Sequence, residues 1–258
     1  MLGKLIGYEM KAFGRVLLPL YAALIVLSVM AGVGLRVLPK SVTQGAGFGI
    51  IGLLIVLLIM AVILMTVILS IGRFYSNLLG REGYLMFSLP TGTGSLIWAK
   101  VISSVIWTCL GTLTAVLAIG AVSLGTVNSS IGEMFSIFGQ AFSHIGVYKT
   151  EIIMTIIMII AMIVCMIVRV YAAIAIGHQW SDHRVLGSIF AYVGIRIIET
   201  ILLSVTGEKV FNSGFNFASQ ISSYPVGIDV ELIVMAAVGI LIYGVITWLL
   251  LDRRLNLE

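Results

Sequence analysis

The chain has 258 residues and a net charge of +4; 60% of it is apolar and only 10% is charged. A soluble domain carries roughly 25% charged and 45–50% apolar residues, so a water-soluble globule of this composition is excluded and a bilayer is its natural solvent. The basic residues are scattered and leave no nucleic-acid footprint. Cys109 and Cys165 both lie in apolar runs and cannot build a disulfide framework.

Residues 1–15 lack the small-residue cleavage site of a signal peptide. Leu2, Leu5, Ile6 and Met10 recur at helical spacing, with Lys4, Glu9, Lys11 and Arg15 between them. This pattern predicts an amphipathic helix lying on the inner leaflet. Six windows then reach the roughly 20 apolar residues that a spanning helix needs. They cover residues 16–34, 48–72, 96–125, 152–176, 185–205 and 232–251. The runs are continuous rather than alternating in polarity, which excludes barrel strands. In lipid each backbone must satisfy itself, so each run is expected to be a helix. The fold class is therefore all-α: one transmembrane domain over residues 1–258.

An even number of spans puts both ends on one side. With the N-terminus inside, inner segments hold Lys4, Lys11, Arg15, Arg73, Arg81, Lys100, Arg184, Arg253 and Arg254. Outer segments hold Arg36, Lys40, Lys149 and Lys209, along with Glu133, Glu151, Glu208, Asp229 and Glu231. The positive-inside rule then predicts cytoplasmic termini in a multi-pass protein of the cell membrane. Residues 127–150 carry Phe135, Phe138 and Phe142 and suggest a short outer-surface helix. Residues 206–229 read as an irregular loop, and residues 177–184 as a short polar turn.

Motifs that would carry chemistry are missing or fail on context. Residues 47–52 spell G-x-G-x-x-G, but they enter a membrane span and no carboxylate lies about 20 residues on. Close helix packing is the better use of those glycines. No G-x-x-x-x-G-K-[ST], H-E-x-x-H or G-x-S-x-G occurs, so neither an ATP-hydrolysing P-loop nor a catalytic grouping is read from the chain. His144, His178 and His183 are too poorly grouped for a metal site; His178, Asp182 and His183 read as an interfacial polar turn. Met154, Met158, Met162 and Met166 form an i, i+4 ladder ending beside Cys165. Soft sulfur suits Cu(I), but such a row is an ordinary packing ridge, and no metal is expected.

Charges inside spans are costly and carry roles. Arg196 and Glu199 lie three residues apart on the fifth span and can pair on one face. They read either as a self-neutralised pair facing the bundle interior or as a translocation-path or gating pair. Arg169, nearer the inner end of the fourth span, is expected to snorkel to headgroups, with a path role as the other reading.

The inner segment over residues 73–100 is too long for a mere turn. It combines Arg73, Asn77, Arg81 and Glu82 with Phe74, Tyr75, Tyr84 and Phe87, the mixture that interface centres favour. Pro90, Gly92 and Gly94 break the chain before the third span. A cytoplasmic protrusion with a soluble partner follows.

Residues 80–90, Gly-Arg-Glu-Gly-Tyr-Leu-Met-Phe-Ser-Leu-Pro, followed by Leu96-Ile-Trp-Ala-Lys100, resemble the inner loop of ABC-2-type exporter permeases of Gram-positive bacteria. Lys11-Ala-Phe-Gly-Arg15 leading into Leu17-Leu-Pro-Leu-Tyr21 is also similar to that group, and the six-span layout agrees over nearly the whole chain. The resemblance implies two six-span subunits, identical or homologous, above two separate ABC ATPase subunits. The ATPases would bind ATP and Mg; this chain would bind no cofactor. The loop between spans two and three would be a coupling helix. By position, Arg81, Glu82, Gly83, Tyr84, Phe87 and Pro90 would contact the ATPase. The cargo would be a hydrophobic or amphipathic molecule, such as an antimicrobial peptide or lipid-like compound. Family members with a large extracellular domain take part in antimicrobial-peptide sensing; no segment here is long enough for one, which leaves the substrate class open. A non-transporting scaffold or sensor that recruits a cytoplasmic regulator is the alternative. An ion-driven transporter is a weaker one, because only Glu199 lies clearly inside a span.

Overall fold

The computed structural model describes residues 2–37, 46–79, 92–126, 139, 149–180, 183–206 and 226–253. Six long helices occupy them: α1 (Leu2–Val37), α2 (Ala46–Phe74), α3 (Thr93–Thr126), α4 (Lys149–Gly177), α5 (Arg184–Thr206) and α6 (Val226–Arg253). A π-helical turn, Tyr75–Leu79, extends α2. No strand occurs among the described residues. All six helices are long and apolar enough to cross a membrane, and the chain is an all-α, multi-pass membrane protein. Each predicted window lies inside one helix, and every helix overruns its window. Hydropathy reports the apolar core of a span, whereas helix continues into the headgroup layer.

The N-terminal stretch departs from expectation. Residues 1–15 are not a separate helix, because α1 runs unbroken from Leu2 to Val37. No proline interrupts residues 2–18. Pro19 lies inside the helix, where it forfeits a single backbone bond to the carbonyl four residues earlier. The buried stripe also differs. It runs through Glu9, Phe13, Leu17, Tyr21, Leu24 and Ser28, the i, i+4 row that the downstream span imposes. Tyr8 is exposed instead.

By packing, the chain divides into two compact units. The first comprises Met1–Gly72 and Ile102–His144; the second comprises Arg73–Val101 and Ile145–Glu258. In the first unit Phe13, Leu17, Tyr21 and Leu24 of α1 pack with Val62 of α2 and with Trp107 and Ala118 of α3. Lipid gives helices little hydrophobic reason to associate, so shape decides. A Cβ on Gly32 would collide with the carbonyl oxygen of Ala121, and one on Gly111 would lie 2.9 Å from the Tyr21 hydroxyl. The Tyr21 hydroxyl donates to the Trp107 carbonyl at 3.0 Å and lies 3.2 Å from Thr66 Oγ1. Thr66 in turn donates to Val62 O at 2.8 Å. The opposite face of α2 presents Ile50, Leu53, Leu57, Met60, Leu64 and Ile68, all exposed, as a lipid-facing surface would be.

In the second unit α4 packs against both α5 and α6. Small residues again permit the approach. A Cβ on Gly177 would strike Ser188, one on Gly187 would lie 2.9 Å from the Gly177 carbonyl, and one on Gly239 would lie 2.8 Å from Cys165 Sγ. The α4–α5 turn closes with His178 N donating to Ile174 O at 3.0 Å and Trp180 N donating to Gly177 O at 3.2 Å. Hydroxyls within the spans bond their own helix: Thr200 to Arg196 O and Thr247 to Tyr243 O, at 2.8 and 2.7 Å. That satisfies a polar group where no water competes.

Packing in the first unit therefore depends more on fit than on hydrogen bonds. Gly32→Ala is expected to cost about 1–3 kcal/mol by overpacking. Tyr21→Phe, which loses the bond to the Trp107 carbonyl and the longer contact with Thr66, is expected to cost about 0.6 kcal/mol. Reversible unfolding of the two variants in mixed micelles, titrated with SDS, compares them. Equal midpoints or the reverse order would show that close fit is not what chiefly holds these helices together.

Candidate functional site

The charged cluster of the second unit is built from three helices. Glu199 on α5 is its hub. Arg196 Nη1 donates to Glu199 Oε2 at 3.0 Å, one helical turn away on the same face. Arg169 on α4 brings Nε within 2.8 Å of Glu199 Oε1, as an ion pair off the hydrogen-bonding line. The Tyr243 hydroxyl on α6 donates to the same oxygen at 2.5 Å. The Arg169 guanidinium carbon lies 5.8 Å from the Tyr243 ring centroid, and Arg169 Nη2 reaches Cys165 Sγ at 3.7 Å. The Arg169 and Glu199 side chains keep only 14% and 17% of their exposure; Arg196 keeps 50%.

The cluster sits deep. Arg169 is eight residues from the end of α4, and Tyr243 is ten from the end of α6, about 12 and 15 Å along their axes. Glu199 is fifteen residues into α5, about 22 Å. Each lies well inside an apolar helix, Glu199 being also seven residues, about 10 Å, from Thr206. An isolated charge there is expensive, and two hydrogen-bond donors and an ion pair on one carboxylate answer it.

Two predicted site features meet here. Arg196 and Glu199 pair as their spacing required. Arg169, expected to snorkel toward headgroups, instead turns to Glu199. A partner within reach in the bundle outcompetes a distant interface, because Coulomb attraction grows as the local dielectric falls. Sequence reasoning misses Tyr243; a tyrosine in an otherwise apolar stretch is the weak signal that could have found it. The methionine ladder converges on nothing with the thiol: Cys165 is buried, whereas Met162 and Met166 are exposed. Among the described residues no group of three or more His, Cys, Asp or Glu side chains could hold a metal ion.

The second predicted site, Arg81, Glu82, Gly83, Tyr84, Phe87 and Pro90, lies outside the described residues, as do Phe135, Phe138 and Phe142. The two ends of the segment over residues 73–100 are described, and both belong to the second unit. Phe74 stacks on Tyr171 of α4, with centroids 3.9 Å apart and planes 11° from parallel. Both rings are essentially fully buried. Tyr75 meets His178 edge-on at 6.1 Å. Lys100, 4% exposed, donates from Nζ to the Arg73 carbonyl at 3.3 Å, a cation on a carbonyl at the C-terminal end of α2. Thr93 Oγ1 donates to Asp252 Oδ1 at 3.1 Å. Stacked aromatics add about 0.5–1.5 kcal/mol beyond their area, so the root of the segment is firm.

Glu199→Ala is expected to be the most damaging single change in the cluster. It strands Arg169 in the bundle and costs about 3–5 kcal/mol. Tyr243→Phe removes a single donor and is expected to cost about 0.6–1.7 kcal/mol. The SDS unfolding midpoint of each variant in mixed micelles tests the order; a Tyr243→Phe loss as large as that of Glu199→Ala would remove Glu199 from the hub. Comparisons with protein-family models, with curated proteins and with solved structures return no match.

Proposed function

We propose that this chain is the membrane-spanning subunit of an ATP-driven ABC-2-type exporter, lying in the cell membrane with both termini in the cytoplasm. The reading rests first on residues 73–100. A loop that receives force from a soluble motor has to be rooted in structure that moves as a body. One end of this loop is stacked on α4 through Phe74 and Tyr171, and its other end is tied back by Lys100 to the Arg73 carbonyl. The same α4 carries Arg169 into the intramembrane cluster. Displacement of the loop therefore reaches charged side chains in the middle of the spans through a single helix.

In this mechanism ATP closes two partner ATPase subunits. They push on Arg81, Glu82, Gly83, Tyr84, Phe87 and Pro90, and α4 carries the push to Arg169. The carboxylate of Glu199 is shared by Arg169, Arg196 and Tyr243, so a shift of α4 relative to α5 redistributes that sharing. Such a cluster has more than one paired arrangement, which suits a two-state gate. The cargo is hydrophobic or amphipathic, and a second permease subunit completes the path. With no P-loop in the sequence, the motor has to be another chain.

The double variant Arg81→Ala/Tyr84→Ala is expected to lose most ATPase co-purification, or to retain hydrolysis that no longer drives transport. Interface hot-spot truncations each cost about 2 kcal/mol or more. Pull-down from membranes and substrate-stimulated hydrolysis in proteoliposomes measure the two outcomes. Wild-type values for both in the double variant would sink the docking assignment.

A further inference from the structure

The cluster is not electrically closed. Two guanidiniums face one carboxylate, which leaves a net charge of +1. Both oxygens of Glu199 are already engaged, Oε1 by Arg169 and Tyr243 and Oε2 by Arg196. Arg169 is packed inside the unit, so the surplus sits on Arg196, whose side chain is half exposed. A guanidinium offers five N–H donors in a planar fork, and Glu199 takes one of the Arg196 donors.

The surroundings of Arg196 are greasy. It opens into a shallow groove along α5 lined by Tyr192, Val193, Ile197, Thr200 and Ile201. Ile197 and Ile201 are exposed beside it. Among the described residues no acidic side chain lines that groove. Other acidic side chains described in this unit, Glu151 and Asp252, lie near helix ends. Arg196 itself is twelve residues from Arg184 and ten from Thr206, about 15–18 Å from either end of α5. Snorkelling serves side chains near helix ends. Here the cation is held at mid-span, against an apolar groove, with donors to spare. Charge complementarity then names the occupant: a monoanionic oxyacid group with apolar chains attached.

We infer that the groove beside Arg196 is the headgroup site for an anionic amphiphile, a phosphodiester-headed lipid, at mid-membrane. The planar fork receives two phosphate oxygens, which is the geometry arginine favours. The acyl chains lie along Val193, Ile197 and Ile201. Thr200 donates to the Arg196 carbonyl, so the guanidinium is the ligand's main donor. This inference deepens the exporter reading by giving the class of cargo, and it rests on that reading only for the claim that the lipid moves.

The test uses the purified full chain without any ATPase, titrated with dioleoylphosphatidylglycerol and, separately, with dioleoylphosphatidylcholine. Native mass spectrometry counts the lipids retained. The wild-type chain is expected to hold one phosphatidylglycerol about tenfold more tightly than phosphatidylcholine, the scale of a charge-assisted bond. Arg196→Gln is expected to erase that preference, and Arg196→Lys to keep the charge but lose part of it. Arg15→Gln, outside the groove, is expected to keep it. Wild-type preference in Arg196→Gln would overturn the inference. So would efficient disulfide cross-linking of two Thr200→Cys chains regardless of lipid, because a second copy would then fill the groove. Because binding is read on the permease alone, its failure with ATPase association intact rejects only the lipid. Binding without ATPase association rejects only the exporter.

Discussion

A carboxylate among hydrocarbon chains must be answered by opposite charge, and the second unit of this protein depends on how Glu199 is answered. Its two oxygens draw Arg169 from α4, Arg196 from its own helix and Tyr243 from α6. Apolar packing alone gives α4, α5 and α6 little reason to choose one register in lipid, since tails are as apolar as leucine. The cluster supplies that choice. A slide of one helical turn by any of the three would unpair a buried charge, at a cost larger than the rest of the contact could return.

The helix α4 then has two duties on two faces. Cys165 and Arg169 are one turn apart and look toward α5 and α6. Tyr171 and His178 are seven residues apart, and so share a face, about 200° around from Arg169. That face carries Phe74 and Tyr75 at the root of the segment over residues 73–100. A helix is stiff along its axis, so whatever displaces the root displaces Arg169. Neither duty needs a catalytic group. Both need α4 to behave as a rod, and the glycines at its crossings let it lie close to its neighbours.

Much of this was legible in the sequence, and the remainder was hidden for a definite reason. Span number and position follow from local hydropathy, because lipid forces every apolar run of that length to be a helix. The Arg196–Glu199 pair was legible because its partners are three residues apart and helix geometry is known in advance. The pairing of Arg169 with Glu199 spans thirty residues, and that of Tyr243 with Glu199 spans forty-four. No local periodicity encodes such distances; they depend on how three helices are rotated against each other. The start of α1 failed differently. An amphipathic pattern over residues 1–15 is real, but the buried row was chosen by the span that follows it, and Glu9 was carried inside while Tyr8 stayed out.

The two units share one means of packing and differ in a second. The first holds α1 to α3 by close fit, with Gly32 against the Ala121 carbonyl and Gly111 beneath Tyr21. Fit of that kind has one good solution and stiffens what it joins. The second has close glycine crossings too, at Gly177, Gly187 and Gly239, and adds a carboxylate shared by Arg169, Arg196 and Tyr243. That cluster fixes the register of its three helices, because moving one of them far enough to break it would leave Arg169 or Glu199 bare. The segment over residues 73–100 is rooted at both ends in that unit, so its ends and the Glu199 cluster belong to one packed body.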